Sequence, residues 1–366
     1  MTLAEQALPY VRAISPYLPG KPITQLAREM GIPVESIVKL ASNENPLGMS
    51  PKAKAAVQAA IEGIERYPDQ FDLIAKVAEK TGLATNQVVL GNGSNDVLDL
   101  IARVFLAPGR SAVFAQHAFA VYPLATLSTG AELIQTPAKD YGHDLQAMRA
   151  AIRDDTRIVW IANPNNPTGN FLPYSEVRAF LEQVPANVIV VLDEAYNEYL
   201  PPEARVDTAA WIADFPNLVI CRTFSKIFGL AGLRVGYALA SPAVADLMNR
   251  VRQPFNVNNL ALAAAVAALD DTAFVNASYE LNRQGMAQIV AGLQQHGLEF
   301  IPSSGNFVTF KVADAAGVNQ RLLKQGVIVR PIGGYGMPDW LRVTIGKAEE
   351  NSRFLDALAQ ALAGAK

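Results

Sequence analysis

Three segments of the chain follow runs of β-branched and apolar residues and end in side chains that can do chemistry. RIVWIA (from Arg157) leads into NPNNPTG, VIVVL (from Val188) into DEAYNEY, and LVICR (from Leu218) into TFSKIFGLAGLR. Together they supply an amide at Asn166, an acid and a phenol at Asp193 and Tyr196, and a lysine with a nearby arginine at Lys226 and Arg234. Open parallel sheets bind ligands at the carboxyl ends of their strands, so these residues are expected to meet. A lysine nucleophile beside an acid and hydrogen-bond donors suits Schiff-base chemistry with a carbonyl cofactor. The parts of a Ser-His-Asp or Cys-His site are missing from the set. The three histidines, His117, His143 and His296, are scattered, so no metal site is expected.

Pyridoxal 5'-phosphate (PLP) is a carbonyl cofactor whose requirements match this set. Lys226 would hold its aldehyde as a Schiff base and, once freed, carry the proton between substrate and cofactor as base and then acid. The Asp193 carboxylate would pair with the ring nitrogen and keep it protonated. Asn166 and Tyr196 can donate to the phenolic oxygen, and Ser225 and Arg234 can hold the phosphate. GNGSND (Gly91 to Asp96) adds a second phosphate element. It follows a strand and opens a helix, with Ser94 the expected N-cap and free N–H groups facing an anion. It is not the dinucleotide fingerprint, because Asp96 stands where the third glycine belongs. Each residue has a plainer reading: a solvated lysine, a helix-capping Asp193, a double turn at NPNNPTG. Their joint occurrence, in order, at successive strand ends favours the chemical one. A cis peptide is expected at Asn166–Pro167.

The elements that must position these residues alternate. Short strands at QVVL, SAVFA, AELIQT, RIVWIA, VIVVLD and LVICRTF are separated by segments long enough for a crossover helix. Helices are expected at Asn95 to Phe105, Phe119 to Ser128, Leu145 to Ile152 and Ser175 to Gln183. VIVVL is apolar throughout, as a strand covered on both faces requires. The fold class is therefore α/β, a mostly parallel sheet sandwiched by helices. RVGYALA (from Arg234) follows LVICRTF after nine residues, too short a gap for a helix, so that pair is expected to be antiparallel. From Thr272 the pattern changes to a long helix, ending near Gln295, then short strands and a last helix. The expected division is a large domain over 39–270 and a smaller α+β domain over 271–366, with 1–38 packing on the latter.

Composition limits the partners. Half of the 366 residues are hydrophobic, 18% are charged, and the net charge is −3. That allows a sizeable core and gives no basic excess for nucleic acid or an anionic membrane. The single Cys221 cannot form an internal disulfide. The first residues form no signal-peptide pattern, and the most apolar stretch, Leu260 to Leu269, is half a membrane span, so a cytoplasmic protein is expected.

NPNNPTG, the DEAY of VLDEAYNEY and the SKIFGLAGLRVGY block together resemble the fold-type I PLP-dependent aminotransferases, an aspartate-aminotransferase-like fold. KLASNENPLG (from Lys39), ERYPD (from Glu65), GNGSND, LRVTIG (from Leu341) and the early PYLPGKPI make the chain most similar to the histidinol-phosphate aminotransferases. The resemblance implies that Lys226 carries the cofactor, with Asp193, Asn166 and Tyr196 about its ring and Ser94, Asn95, Ser225 and Arg234 at its phosphate. Arg342 would bind the substrate's acidic group, with Arg330, Tyr17 and Asn43 as further substrate contacts. Tyr67 would cross a homodimer interface to the other subunit's cofactor phosphate. HAFAVY departs from the pattern: Phe119 stands where many relatives stack a tyrosine over the ring, and a phenyl ring still stacks. The implied reaction is transamination of histidinol phosphate with 2-oxoglutarate, a step in histidine biosynthesis. Aromatic amino-acid transamination is the alternative on the same frame, and decarboxylation of a phosphorylated amino acid or mere retention of PLP by a regulator are more distant ones.

Overall fold

The computed structural model describes residues 2–17 and 19–364, so Leu18 of PYLPGKPI lies outside the described residues. Seven strands form the main sheet: β1 (Val88–Gly91), β2 (Ser111–Ala115), β3 (Glu132–Thr136), β4 (Thr156–Ala162), β5 (Ile189–Asp193), β6 (Leu218–Thr223) and β7 (Gly236–Leu239). Their spatial order is β1-β7-β6-β5-β4-β2-β3. Neighbours run parallel except β7, which is antiparallel to both β1 and β6. The short link after β6 dictates that reversal, as its length predicts.

Burial on both faces explains the apolar runs. Along β5, Val190 and Leu192 enter one core while Ile189 and Val191 enter the other. β4 repeats this, with Val159 and Ile161 opposed to Ile158 and Trp160. Side chains alternate along a strand, so Asp193 shares the face of Ile189 and Val191.

Helices cover the sheet: α2 (Ser94–Phe105) and α3 (Val121–Ser128) on one face, and α4 (Asn259–Leu269) on the other. The last is alanine-rich, and Ala261, Leu262, Ala264, Ala265 and Ala268 are core residues. No single helix among the described residues is long and apolar enough to cross a membrane.

α5 (Thr272–Gln295) spans the helical pattern read from the sequence. Its first half lays Val275 and Tyr279 beside Tyr196, and its second half puts Ile289 and Leu293 into a separate core with α6 (Ala348–Ala363). That core backs a second, antiparallel sheet of β8 (Phe300–Ile301), β9 (Phe307–Lys311), β10 (Arg330–Pro331) and β11 (Trp340–Thr344), ordered β8-β9-β11-β10.

Three details correct the sequence reading. Gly93, not Ser94, is the N-cap of α2, and Ser94 is its first helical residue. α3 begins at Val121, which leaves Phe119 in the preceding loop. The N-terminal segment does not pack as one piece. Its helix α1 (Ile23–Met30) joins Leu323 and Ile328 of the C-terminal region, whereas Tyr10 lies against Gly130 and Pro108 beside the main sheet. Apolar residues on both halves of this segment satisfy two different surfaces.

Candidate active site

The strand ends bring the candidate residues to one cleft of about 890 Å³, counting its open mouth. Lys226, Asp193, Tyr196, Asn166, Ser94, Asn95, Phe119, Ser225, Arg234, Arg330, Arg342, Tyr17 and Asn43 all line it. Tyr67 does not. It is 80% exposed and stacks on Phe255 at 4.4 Å, on the outside of its own chain.

At the floor, Asp193 ends β5 and is buried. Its Oδ1 accepts from the Ala195 N–H at 3.2 Å and its Oδ2 from the Tyr122 hydroxyl at 2.9 Å. Burial pushes its pKa up to about 6, against the pull of these two donors. No lysine or arginine among the described residues forms an ion pair with it, so the carboxylate lacks a cation that a pyridinium would supply.

Above it, the part-buried Lys226 donates from Nζ to the Ser42 carbonyl at 3.2 Å. Burial, and then the charge of Arg342, brings its pKa down to about 8. An amine in that range is a nucleophile and a proton carrier near neutral pH.

The NPNNPTG turn carries cis peptides at Asn166–Pro167, as expected, and also at Asn163–Pro164. Asn163 N–H donates to the Asp193 carbonyl at 2.9 Å, which joins this turn to β5. Arg342 donates from Nη1 to Asn166 Oδ1, so the Asn166 amide can turn its N–H₂ into the cleft. Tyr196 accepts from Asn43 Nδ2 at 2.9 Å and keeps its own proton to donate. Burial raises that phenol to about 12, opposed by Arg342 and Asn43, so it stays protonated.

One end of the cleft is made for an anion. α2 points its N-terminus there, with Gly93 at φ 85°. A Cβ on Gly93 would stand 2.3 Å from Arg234 Nη2, so only glycine admits the guanidinium. Arg234, itself at φ 58°, donates from Nη1 to Ser225 Oγ at 3.4 Å. Free N–H groups, a helix dipole and a guanidinium fit a phosphate.

The other end carries Arg342 and Arg330, which face each other in register across β11 and β10. Arg342 is buried, donates from Nη2 to the Ala41 carbonyl at 2.8 Å, and has no partner for Nε. The guanidinium of Arg330 sits 5.5 Å from the Tyr17 ring. The residues present therefore fit pyridoxal 5'-phosphate: an amine, an acid, phenolic donors and an anion cradle converge in one cleft.

The sequence model of the family described as aminotransferase class I and II matches residues 35–358. The chain belongs to the class I and II aminotransferases. Among relatives of this aminotransferase, "Histidinol-phosphate aminotransferase 1" of Dechloromonas aromatica (strain RCB) is 83% identical, over 99% of this chain and all of that relative. "Histidinol-phosphate aminotransferase 1" of Thiobacillus denitrificans is 62% identical, over 99% and 95%. A crystal structure of histidinol-phosphate aminotransferase from Sinorhizobium meliloti in complex with pyridoxal-5'-phosphate superposes with a TM-score of 0.91 at 28% identity, over 99% and 98% of the two chains. The fold is aspartate-aminotransferase-like fold type I. Aspartate aminotransferase from Thermus thermophilus with maleate shares it at a TM-score of 0.84 and 22% identity, over 96% and 98% of the two chains.

Sequence reasoning passed over Tyr122, Ser42, Thr223 and Tyr335, all of which line the cleft. Only Tyr122 left a signal, three residues after Phe119 and so on the same side of the chain as it enters α3. Ser42 acts through its carbonyl, which any residue supplies.

Proposed function

We propose that this aminotransferase transfers the amino group of histidinol phosphate to 2-oxoglutarate, giving imidazole acetol phosphate and glutamate in histidine biosynthesis. The observation that carries this is the pairing of Arg330 with Arg342 in register. Like charges directly opposite across an antiparallel pair destabilise it, and an anion between them relieves that cost. A substrate phosphate in one half-reaction and a dicarboxylate in the other both satisfy two guanidiniums. The names of the close relatives point the same way.

When bound, pyridoxal 5'-phosphate supplies an aldehyde that condenses with amines and a ring that takes up the electron pair released at the substrate's α-carbon. Lys226 would anchor it covalently and, once freed, would move the proton on and off that carbon. Asp193 holds the proton on the ring nitrogen. Asn166 and Tyr196 would donate to the phenolic oxygen, and Phe119 would supply an aromatic wall for the ring. Ser94, Asn95, Ser225 and Arg234 bind the phosphate, while Arg342, Arg330, Tyr17 and Asn43 orient the substrate's acidic end.

The enzyme works as a homodimer in the cytoplasm, and Tyr67 of the partner subunit completes the phosphate site. The exposure of the large apolar side chains Ile61, Ile64, Tyr67, Phe71 and Phe255, with Tyr67 stacked on Phe255, supports that assembly. Residues 39–270 form the cofactor domain and 271–366 the smaller one.

Mixing the PLP form with single amines and following conversion to the pyridoxamine form tests the substrate. Histidinol phosphate should exceed phenylalanine in kcat/KM on the order of a hundredfold, because its dianionic phosphate meets both guanidiniums where phenylalanine brings a single monoanionic carboxylate. Phenylalanine reacting as well would transfer the assignment to aromatic amino acids.

A further inference from the structure

Beneath the residues that meet the cofactor, one buried phenol reaches the acid on the cleft floor. Tyr122 is fully buried at the start of α3. Its ring stacks on Trp160 at 5.3 Å and 5°, and Phe119 stands edge-on to it at 5.7 Å and 86°. This bracket aims its hydroxyl at Asp193 Oδ2, 2.9 Å away. We propose that Tyr122 is a positioning residue that keeps Asp193 ionised and oriented, so that the shared proton stays on the cofactor's ring nitrogen. The proposal rests on the reading of Asp193 as the pyridinium partner.

A hydrogen bond to the charged form of an acid stabilises that form and weakens its hold on a further proton. Tyr122 can only act as donor to this carboxylate, since burial and the neighbouring charge of Asp193 hold its proton far above the usual phenol range. The other groups around Asp193 do not replace it. Glu194 adds like charge, and its own oxygens are taken by Arg222, Thr208 and Tyr174. The Cys221 thiol is buried and its ionisation suppressed. The Tyr196 hydroxyl accepts from Asn43 and, among the described residues, makes no hydrogen bond to Asp193. The charge of Lys226 also bears on Asp193, but its amine is needed for chemistry. Among the described residues, Tyr122 is thus the only side chain that hydrogen-bonds to Asp193.

The test uses the holoenzyme reconstituted with PLP carrying ¹⁵N at the ring nitrogen. In the wild type the ¹⁵N shift should report a protonated nitrogen. In Tyr122→Phe, which keeps the ring stack, the shift should move toward the unprotonated value. The affinity for PLP should fall roughly tenfold, the worth of one hydrogen bond to a charged group. In an Asp193→Asn background, Tyr122→Phe should leave affinity unchanged, because its partner charge is gone. If the phenylalanine variant does not fold, Tyr122→3-fluorotyrosine is a stronger donor of the same shape and should move the shift further toward the protonated value. Wild-type protein that fails to take up PLP would sink the reading of the cleft itself. Wild type that binds PLP, beside a variant with unchanged shift and affinity, overturns the role of Tyr122 alone. So does an affinity loss that persists undiminished in the Asp193→Asn background, since Tyr122 would then act by packing.

Discussion

At the scale of single residues, the site is built from groups held away from their ordinary protonation. Asp193 is the clearest case. Its pKa in the folded chain, about 6, lies above the ordinary 3.8. Between those values the native state binds more protons than the unfolded one, so this group's contribution to stability falls as pH rises through that window. Above it the full cost of the buried charge is present; below it the cost is gone. In the apoprotein, Asp193→Asn should raise stability on the order of 1–3 kcal/mol near neutral pH and lose that advantage below pH 4, while cofactor affinity drops. Urea midpoints at the two pH values measure it. A variant destabilised equally at both would show that the carboxylate carries no burial cost. The identities of Lys226, Asp193, Asn166 and Tyr196 were legible because each ends a strand with a recognisable turn. The donors to Asp193 and the acceptor for Lys226 were not. One comes from a helix about seventy residues earlier, and the other is a carbonyl without side-chain signature.

At the scale of elements, what matters is how a helix end and three strand ends converge. The strands were legible to within a residue or two because continuous apolar runs, buried on both faces, end at polar and turn-forming residues. The start of α2 was misread by one position. Ser94 has the side chain of an N-cap, yet Gly93 takes that place, because the backbone there needs φ 85° and the guanidinium of Arg234 fills the space of a Cβ. Tertiary contact overrode local preference. Gly93→Ala should therefore displace Arg234 and strain the turn, with a loss of about 1–3 kcal/mol in apoprotein stability. The diagnostic measurement is the ratio of affinities for pyridoxal 5'-phosphate and for pyridoxal, which lacks the phosphate. That ratio should collapse toward unity in the variant. A ratio equal to the wild type's would show that the α2 end and Arg234 do not hold the phosphate.

At the scale of the whole molecule, Tyr67 presents the remaining question. Its ring is exposed, stacked on Phe255 and outside the cleft of its own chain. A tyrosine so placed serves a cofactor only if a second copy brings its cleft alongside. In a twofold dimer each site would then combine Lys226 of one subunit with Tyr67 of the other, and subunit mixing can reveal the sharing. Lys226→Ala removes the covalent anchor, so borohydride no longer fixes the cofactor to the chain. Tyr67→Ala removes the crossing residue. Both homodimers should be severely impaired. A hybrid holds one site with both defects and one with neither. After complete exchange about half of the dimers are hybrids, each with one intact site, so activity should return to about a quarter of the wild-type value. If each chain supplied its own Tyr67, every site in the mixture would carry one defect, and refolding the two variants together would recover nothing.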